Sequence, residues 1–321
     1  EGNLRKHSAP AINRGEYSPS SPFANTHSSR TIKEAHCPDF PPPGYPEEYP
    51  MVDLINNWNP DDTAIPPMHY DSLCHFNYQT ERHKALNYRN AEVPFVVYNH
   101  PQVDATAKKW GDVDYLERLL GSRTFKTATS EDNHFMYYHA KRNAKNIMNP
   151  DGSKWKAPTG EVLSTFEDWL RLAVAAQNKS LLDSPHQYFR VSSNMGNPFV
   201  FDELPFYKPE KSLFVVEPSK QMGIHCRFGM KGVISEAHFD SGRNFVAEIA
   251  GLRRWVIAHP RECYNMHMYD RSHPSGRHSA VDWSKPDLET FPRFKQLKGN
   301  EVILQPGDLL LNTAWYWHGI I

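Results

Sequence analysis

From about residue 186 onward the chain is written in short β segments at close intervals: 188–192, 212–217, 232–240, 245–250, 254–258, 301–305 and 309–312. Gly251 and Pro306-Gly307-Asp308 supply turns between several of them. Many short strands joined by Gly or Pro turns bury their apolar faces only by closing into a sandwich or barrel. Ahead of them, Val93–Tyr98 is a β-branched and aromatic run that suits a strand, and Phe135–Tyr138 reads as another. Two amphipathic helices are expected. One runs from Trp110 to Leu120 and is ended by Gly121; the other spans about 164–178. In the second, Ser164 and Glu167 form a capping-box pair, and Phe166, Trp169, Leu170 and Ala173 keep helical spacing. That stripe is core packing, not a cofactor site. The fold class is mainly β with flanking helices.

The first 50 residues carry 9 of the 26 prolines and no tryptophan, and their Ser18-Pro19-Ser20-Ser21-Pro22 and Pro41-Pro42-Pro43-Gly44 stretches cannot continue a helix or a central strand. Residues 1–35 are expected to be disordered or draped, 36–92 to pack irregularly on the core, and 93–321 to form the domain proper. A net charge of -1 gives no electrostatic argument for nucleic acid or an anionic membrane. No apolar run approaches the roughly 20 residues of a membrane helix. Cys37, Cys74, Cys226 and Cys263 contain no C-x-x-C and are too scattered for a disulfide framework or zinc ribbon. They read as ordinary thiols, with a single bridge left open. Residue 1 is Glu, which leaves a removed upstream segment open, and Asn178-Lys179-Ser180 is a glycosylation triplet.

The chemistry-bearing motif is His238-Phe239-Asp240. Residues i and i+2 of a strand share a face, so imidazole and carboxylate converge on one ion. A second histidine from a neighbouring strand completes a two-His, one-carboxylate face with three open positions, the geometry of non-haem Fe(II) oxygenases. Chance alone supplies about one H-x-D triplet in a chain of this composition, and His69-Tyr70-Asp71 is a second. Only His238 sits in a strand followed by further strands. Of the downstream histidines 259, 267, 273, 278 and 318, His318 follows the buried run Leu309-Leu310-Leu311 and lies beside Trp315-Tyr316-Trp317, which makes it the expected third ligand.

Together these residues resemble a JmjC-type cupin and, within that group, the asparaginyl hydroxylases that act on hypoxia-inducible factor. The resemblance covers about 93–321. It runs through Tyr115-Leu116, Phe135-Met136-Tyr137-Tyr138, Phe228-Gly229-Met230-Lys231-Gly232 and Ser235…His238-Phe239-Asp240…Asn244 to Val281-Asp282, Phe291-Pro292 and Trp317-His318. It implies a double-stranded β-helix, the cupin or JmjC jelly roll, with Fe(II) bound by His238, Asp240 and His318 and with 2-oxoglutarate and O₂ as co-substrates. The family's lysine for the far carboxylate of 2-oxoglutarate falls at Arg253, a departure that either reshapes the pocket or alters the co-substrate. The resemblance also assigns Ser235 and Tyr188 to that carboxylate and Asn244 to the iron-bound end. Arg254 is expected as an outer-face charge, and Asp308 as a turn residue. The family has one more core strand than the chain supplies before Ile321, so that strand is expected to be lacking. The implied activity is hydroxylation of a protein or peptide side chain, with His134, Tyr137, Tyr138 and 264–298 facing the substrate. A non-catalytic cupin scaffold, a lysine demethylase, and a small-molecule or tRNA oxygenase are the alternatives.

Overall fold

The computed structural model describes residues 37–59, 72–139, 147–149, 152–177, 185–194, 196–208, 212, 214–215 and 217–321. Residues 1–35, the His69/Asp71 pair and Asn178 lie outside them. The first strands are β1 (Tyr49–Pro50), β2 (His75–Asn77), β3 (Phe95–Tyr98), β4 (Phe125–Ser130), β5 (His134–Phe135), β6 (Gly160–Ser164) and β7 (His186–Ser192). They are followed by β8 (His225–Gly229), β9 (Ile234–Phe239), β10 (Asn244–Ala247), β11 (Arg253–Ala258), β12 (Lys298–Leu304), β13 (Leu309–Asn312) and β14 (Trp317–Ile320). Among the described residues six α-helices punctuate them: α1 (Met51–Ile55), α2 (Arg82–Asn90), α3 (Pro101–Trp110), α4 (Val113–Leu120), α5 (Phe166–Ala176) and α6 (Phe199–Glu203).

Three sheets form the frame. A six-stranded sheet has the order β1-β12-β11-β14-β9-β5, and two four-stranded sheets have the orders β10-β13-β3-β2 and β6-β4-β7-β8. Val96 and Leu310 of the second sheet pack with Trp255, Ile257, Val302 and Leu304 of the first, so these two sheets face one another across an apolar layer. The third sheet packs Phe189 and Val191 against α5, whose Phe166, Trp169 and Leu170 are fully buried. This is the mainly β architecture with flanking helices that the sequence leads one to expect, consistent with a cupin-like jelly roll. No helix among the described residues is long and apolar enough to cross a membrane.

The differences from the sequence reading are local. The cap of α5 is Thr165, whose Oγ1 accepts from Asp168 N, one residue along from the Ser164/Glu167 pair. The expected helix at Trp110–Leu120 is two helices, because Asp112 accepts from Tyr115 N and starts α4 afresh. Only Phe135 of the expected strand at 135–138 is in a ladder, with His134 before it, and no described residue of 212–217 is in a strand. Residues 37–92 contain α1, α2, β1 and β2, with β2 pairing in parallel with β3. Cys37 and Cys74 form a disulfide with Cα atoms 6.0 Å apart, inside the range that bridged cysteines span. Arg254 does point away from Arg253, but it is fully buried. Its Nε donates to Glu301 Oε2 at 2.6 Å, and Nη2 donates to Leu54 O at 2.5 Å.

Candidate metal centre and co-substrate pocket

A bulge in β9 decides what faces the site. β14 lies between β11 and β9 and is antiparallel to both. His318 sits opposite His238, yet Ile320 sits opposite Ser235, so two residues of β14 span three of β9. The extra residue turns Glu236 and Ala237 outward and returns Ser235 to the face of His238 and Asp240. Ser235, His238, Asp240 and His318 all line one cavity of about 1630 Å³, while Ile234 and Ala237 pack in the opposite apolar cluster. Sequence parity alone would set Ser235 and His238 on opposite faces.

The ligand atoms of His238, Asp240 and His318 lie within 4.8 Å of one another. Each imidazole has its Nδ1 beside a backbone carbonyl: 2.7 Å from Glu236 O in His238, and 3.1 Å from Tyr316 O in His318. A neutral ring donating Nδ1–H to that carbonyl keeps Nε2 as an acceptor, the tautomer a metal ligand needs. Burial pushes both rings toward the neutral form, His318 down to about 3. Burial opposes ionisation of Asp240, but His238, His318, Asn244 and Arg277 together hold it below the usual carboxylate value. Asn244 Nδ2 donates to Asp240 Oδ2 at 2.8 Å, and the Asn312 side-chain amide lies 2.9 Å from His318 Nδ1, where a protonated Nδ1 requires the amide oxygen, otherwise without a partner, to face the ring. Two neutral imidazoles and one carboxylate, each oriented from behind, fit a divalent cation with open positions.

The other sequence-predicted residues gather deeper in the same cavity. Arg253 Nη1 donates to Tyr188 Oη at 2.8 Å, and its Nε lies 3.7 Å from Glu248 Oε2. Burial opposes the charge on Arg253, but Tyr188 and Glu248 hold its pKa above the ordinary value. Burial raises Glu248 to about 7 against the pull of Arg253. Room for the guanidinium comes from Gly229, where any Cβ would stand 2.9 Å from Arg253 Nη2. Asn244 belongs to Asp240 rather than to this deep end.

Several neighbours were not expected against the metal ligands themselves. His278, 1% exposed, stacks on His238 with ring centroids 5.1 Å apart, and Arg277 Nη1 donates to Asp240 Oδ1 at 2.8 Å. Both come from the polar 264–298 stretch. Trp255 stacks on His318 at 5.3 Å. Of the residues expected to face substrate, Tyr137 lines the cavity. His134 is turned away into a contact with Glu236, and Tyr138 Oη donates to Thr159 O at 3.1 Å.

The cupin-like domain family matches residues 81–320. Lysine-specific demethylase 8 of Xenopus tropicalis is 25% identical over 312 residues, which is 95% of this chain and 61% of that protein. JmjC domain-containing protein D of Dictyostelium discoideum is 33% identical over 95 residues, 30% of this chain and 21% of that protein. tRNA wybutosine-synthesizing protein 5 of Gallus gallus is 24% identical over 240 residues, 70% of this chain and 66% of that protein. The chain thus spans about three fifths of the first relative's length. The resemblance holds at the level of the family, whose JmjC members are typically Fe(II)- and 2-oxoglutarate-dependent oxygenases. With three quarters of its length matched, the chain belongs to the cupin-like domain family, among its JmjC proteins.

Proposed function

We propose that the chain is an Fe(II)- and 2-oxoglutarate-dependent oxygenase that hydroxylates a side chain of a protein substrate, as the asparaginyl hydroxylases it resembles do. The observation that carries this reading is the His238/Asp240/His318 group, with both imidazole Nδ1 atoms held by carbonyls and all three ligand atoms within 4.8 Å. Ferrous iron bound there with 2-oxoglutarate and O₂ supplies the oxidation of a C–H bond to C–OH, with succinate and CO₂ as the other products.

The chain's own part is placement. Arg253 and Tyr188 present a guanidinium and a hydroxyl to the far carboxylate, with Ser235 on the same wall. Asn244 and Arg277 fix the rotamer of Asp240, and Trp255 closes one side of His318. Both histidines must remain neutral to ligate, which their burial favours.

A scaffold reading has one observation of its own: Arg253 already has Tyr188 and Glu248 as neighbours. Anaerobic titration of 2-oxoglutarate into Mn(II)-loaded protein separates the two. Saturable one-to-one binding that is lost in Arg253→Ala supports the oxygenase. Mn(II) binding with no 2-oxoglutarate binding supports the scaffold. Succinate release that tracks a mass gain of one oxygen on a peptide then distinguishes hydroxylation from methyl-group removal.

A further inference from the structure

Strands β7 and β8 pair antiparallel with Tyr188 opposite Gly229, Arg190 opposite Arg227 and Ser192 opposite His225. These three pairs share one face of the sheet, because alternate residues of a strand do. The innermost pair, Tyr188 and Gly229, holds the Arg253 guanidinium. The next pair toward the mouth is two arginines, roughly 7 Å further along the strands. Both line the cavity that contains His238 and Asp240.

Like charges directly opposite one another on a sheet are destabilising, and a buried donor without an acceptor costs more. Arg190 bears both costs. Its Nε is buried with no hydrogen-bond partner, and neither it nor Arg227 makes a side-chain hydrogen bond or ion pair among the described residues. The other arginines of the cavity differ: Arg253 has Tyr188 and Glu248, Arg277 has Asp240, and Arg243 has Glu92. Two unpaired guanidiniums side by side form a fork for one bidentate anion.

We infer that Arg190 and Arg227 hold a carboxylate of the substrate, so that the enzyme acts on an acidic peptide segment laid across β7 and β8 beside the metal. This rests on the oxygenase reading above. A peptide fits better than RNA for two reasons. The cavity rim is apolar at Met222 and Tyr137, which are 81% and 47% exposed. The chain as a whole, at a net charge of -1, has no basic excess for a phosphate backbone. The fork also sits apart from Arg253, which leaves the deep pocket to the co-substrate.

The test is fluorescence anisotropy on the Mn(II)-loaded full chain. The probes are a short labelled alanine–glycine peptide with two central aspartates, its asparagine counterpart, and a single-stranded RNA of equal length. The aspartate peptide is expected to bind at least tenfold tighter than the asparagine peptide, with a strong salt dependence. Arg190→Gln and Arg227→Gln should each remove that preference while raising the melting temperature, since each relieves the opposed charges; a merely structural arginine would lower it. Equal binding of the two peptides, or a preference that survives in the double variant, would overturn the inference. RNA binding tighter than the aspartate peptide, with the same arginine dependence, would overturn it in favour of nucleic acid. A parallel calorimetric titration with 2-oxoglutarate reports on the oxygenase reading alone. If only that titration fails, the acidic-peptide site stands and the catalytic reading falls.

Discussion

Strand β9 carries a histidine–carboxylate cluster on each face, and the two are built to opposite ends. Inward, His238 and Asp240 meet His318; outward, Glu236 meets His134 with Asp282 nearby. In both groups the ligand atoms lie within 4.8 Å of one another. What separates them is the partner of each imidazole. His238 and His318 have Nδ1 against backbone carbonyls, which sets the tautomer, while burial keeps the rings neutral, so Nε2 is left over. His134 Nδ1 meets the Glu236 carboxylate directly at 2.5 Å. Burial opposes the charge on His134, but the hydrogen bond and charge of Glu236 win and push its pKa up to about 9. The first cluster has unspent lone pairs that converge; the second has consumed its own in an ion pair. Proximity of ligand-type residues is therefore a poor sign of a metal site unless the second nitrogen of each ring is accounted for.

The largest expected effect breaks the comparison most directly. His318→Ala or His238→Ala should weaken Mn(II) binding by at least a hundredfold, while His134→Ala should leave it within about twofold. Isothermal titration of the metal reads both. Loss of binding in His134→Ala with retention in His318→Ala would reverse the two assignments.

Next in size is the deep pocket. Arg253→Ala should cost roughly a hundredfold in 2-oxoglutarate affinity, the scale of a lost charge-assisted bidentate pair. Arg253→Lys should recover only part of it, because the space opened by Gly229 and the bond from Nη1 to Tyr188 are shaped for a planar fork. Glu248→Gln should tighten binding severalfold by removing the acid that competes for Arg253. If Arg253→Lys bound more tightly than the native chain, arginine would be the residue that spoils the pocket. Smaller again, Asn244→Ala should lower metal affinity about tenfold, through the freedom it gives Asp240.

How much of this was legible depended on whether the signal was local. His238-x-Asp240 was readable because strand periodicity is a property of adjacent residues, and His318 because a buried run leads into it. Arg253 came from a resemblance in spacing, and its parity with Arg254 held. The burial of Arg254 did not follow from parity, because its acceptors Glu301 and Leu54 come from distant parts of the chain. The bulge that turns Ser235 inward arises from pairing with β14 and has no signature in 234–239 itself. Arg277 and His278 reach the site from an irregular stretch whose course no periodicity describes. The opposed Arg190 and Arg227 become visible only once β7 and β8 are in register.

The smallest predicted effect sharpens the comparison through pH. The folded pKa of His134, about 9, lies above its ordinary value of 6.5. Its contribution to stability is therefore fully present below about pH 6.5 and is lost as pH rises through about 9. Burial raises the Glu236 carboxyl as well, against the hydrogen bond and charge of His134, which pull it down. The melting temperature of the metal-free chain should therefore fall by roughly a few degrees more between pH 7 and 9.5 than that of a His134→Gln/Glu236→Gln double variant. The double change matters, because removing only one partner leaves the other buried and unpaired, which lowers stability at every pH. Identical slopes in the two proteins would mean that His134 is not held protonated by Glu236. Its Nδ1 lone pair would then be as free as the Nε2 atoms across the strand, and the outward cluster would have to be treated as a second cation site.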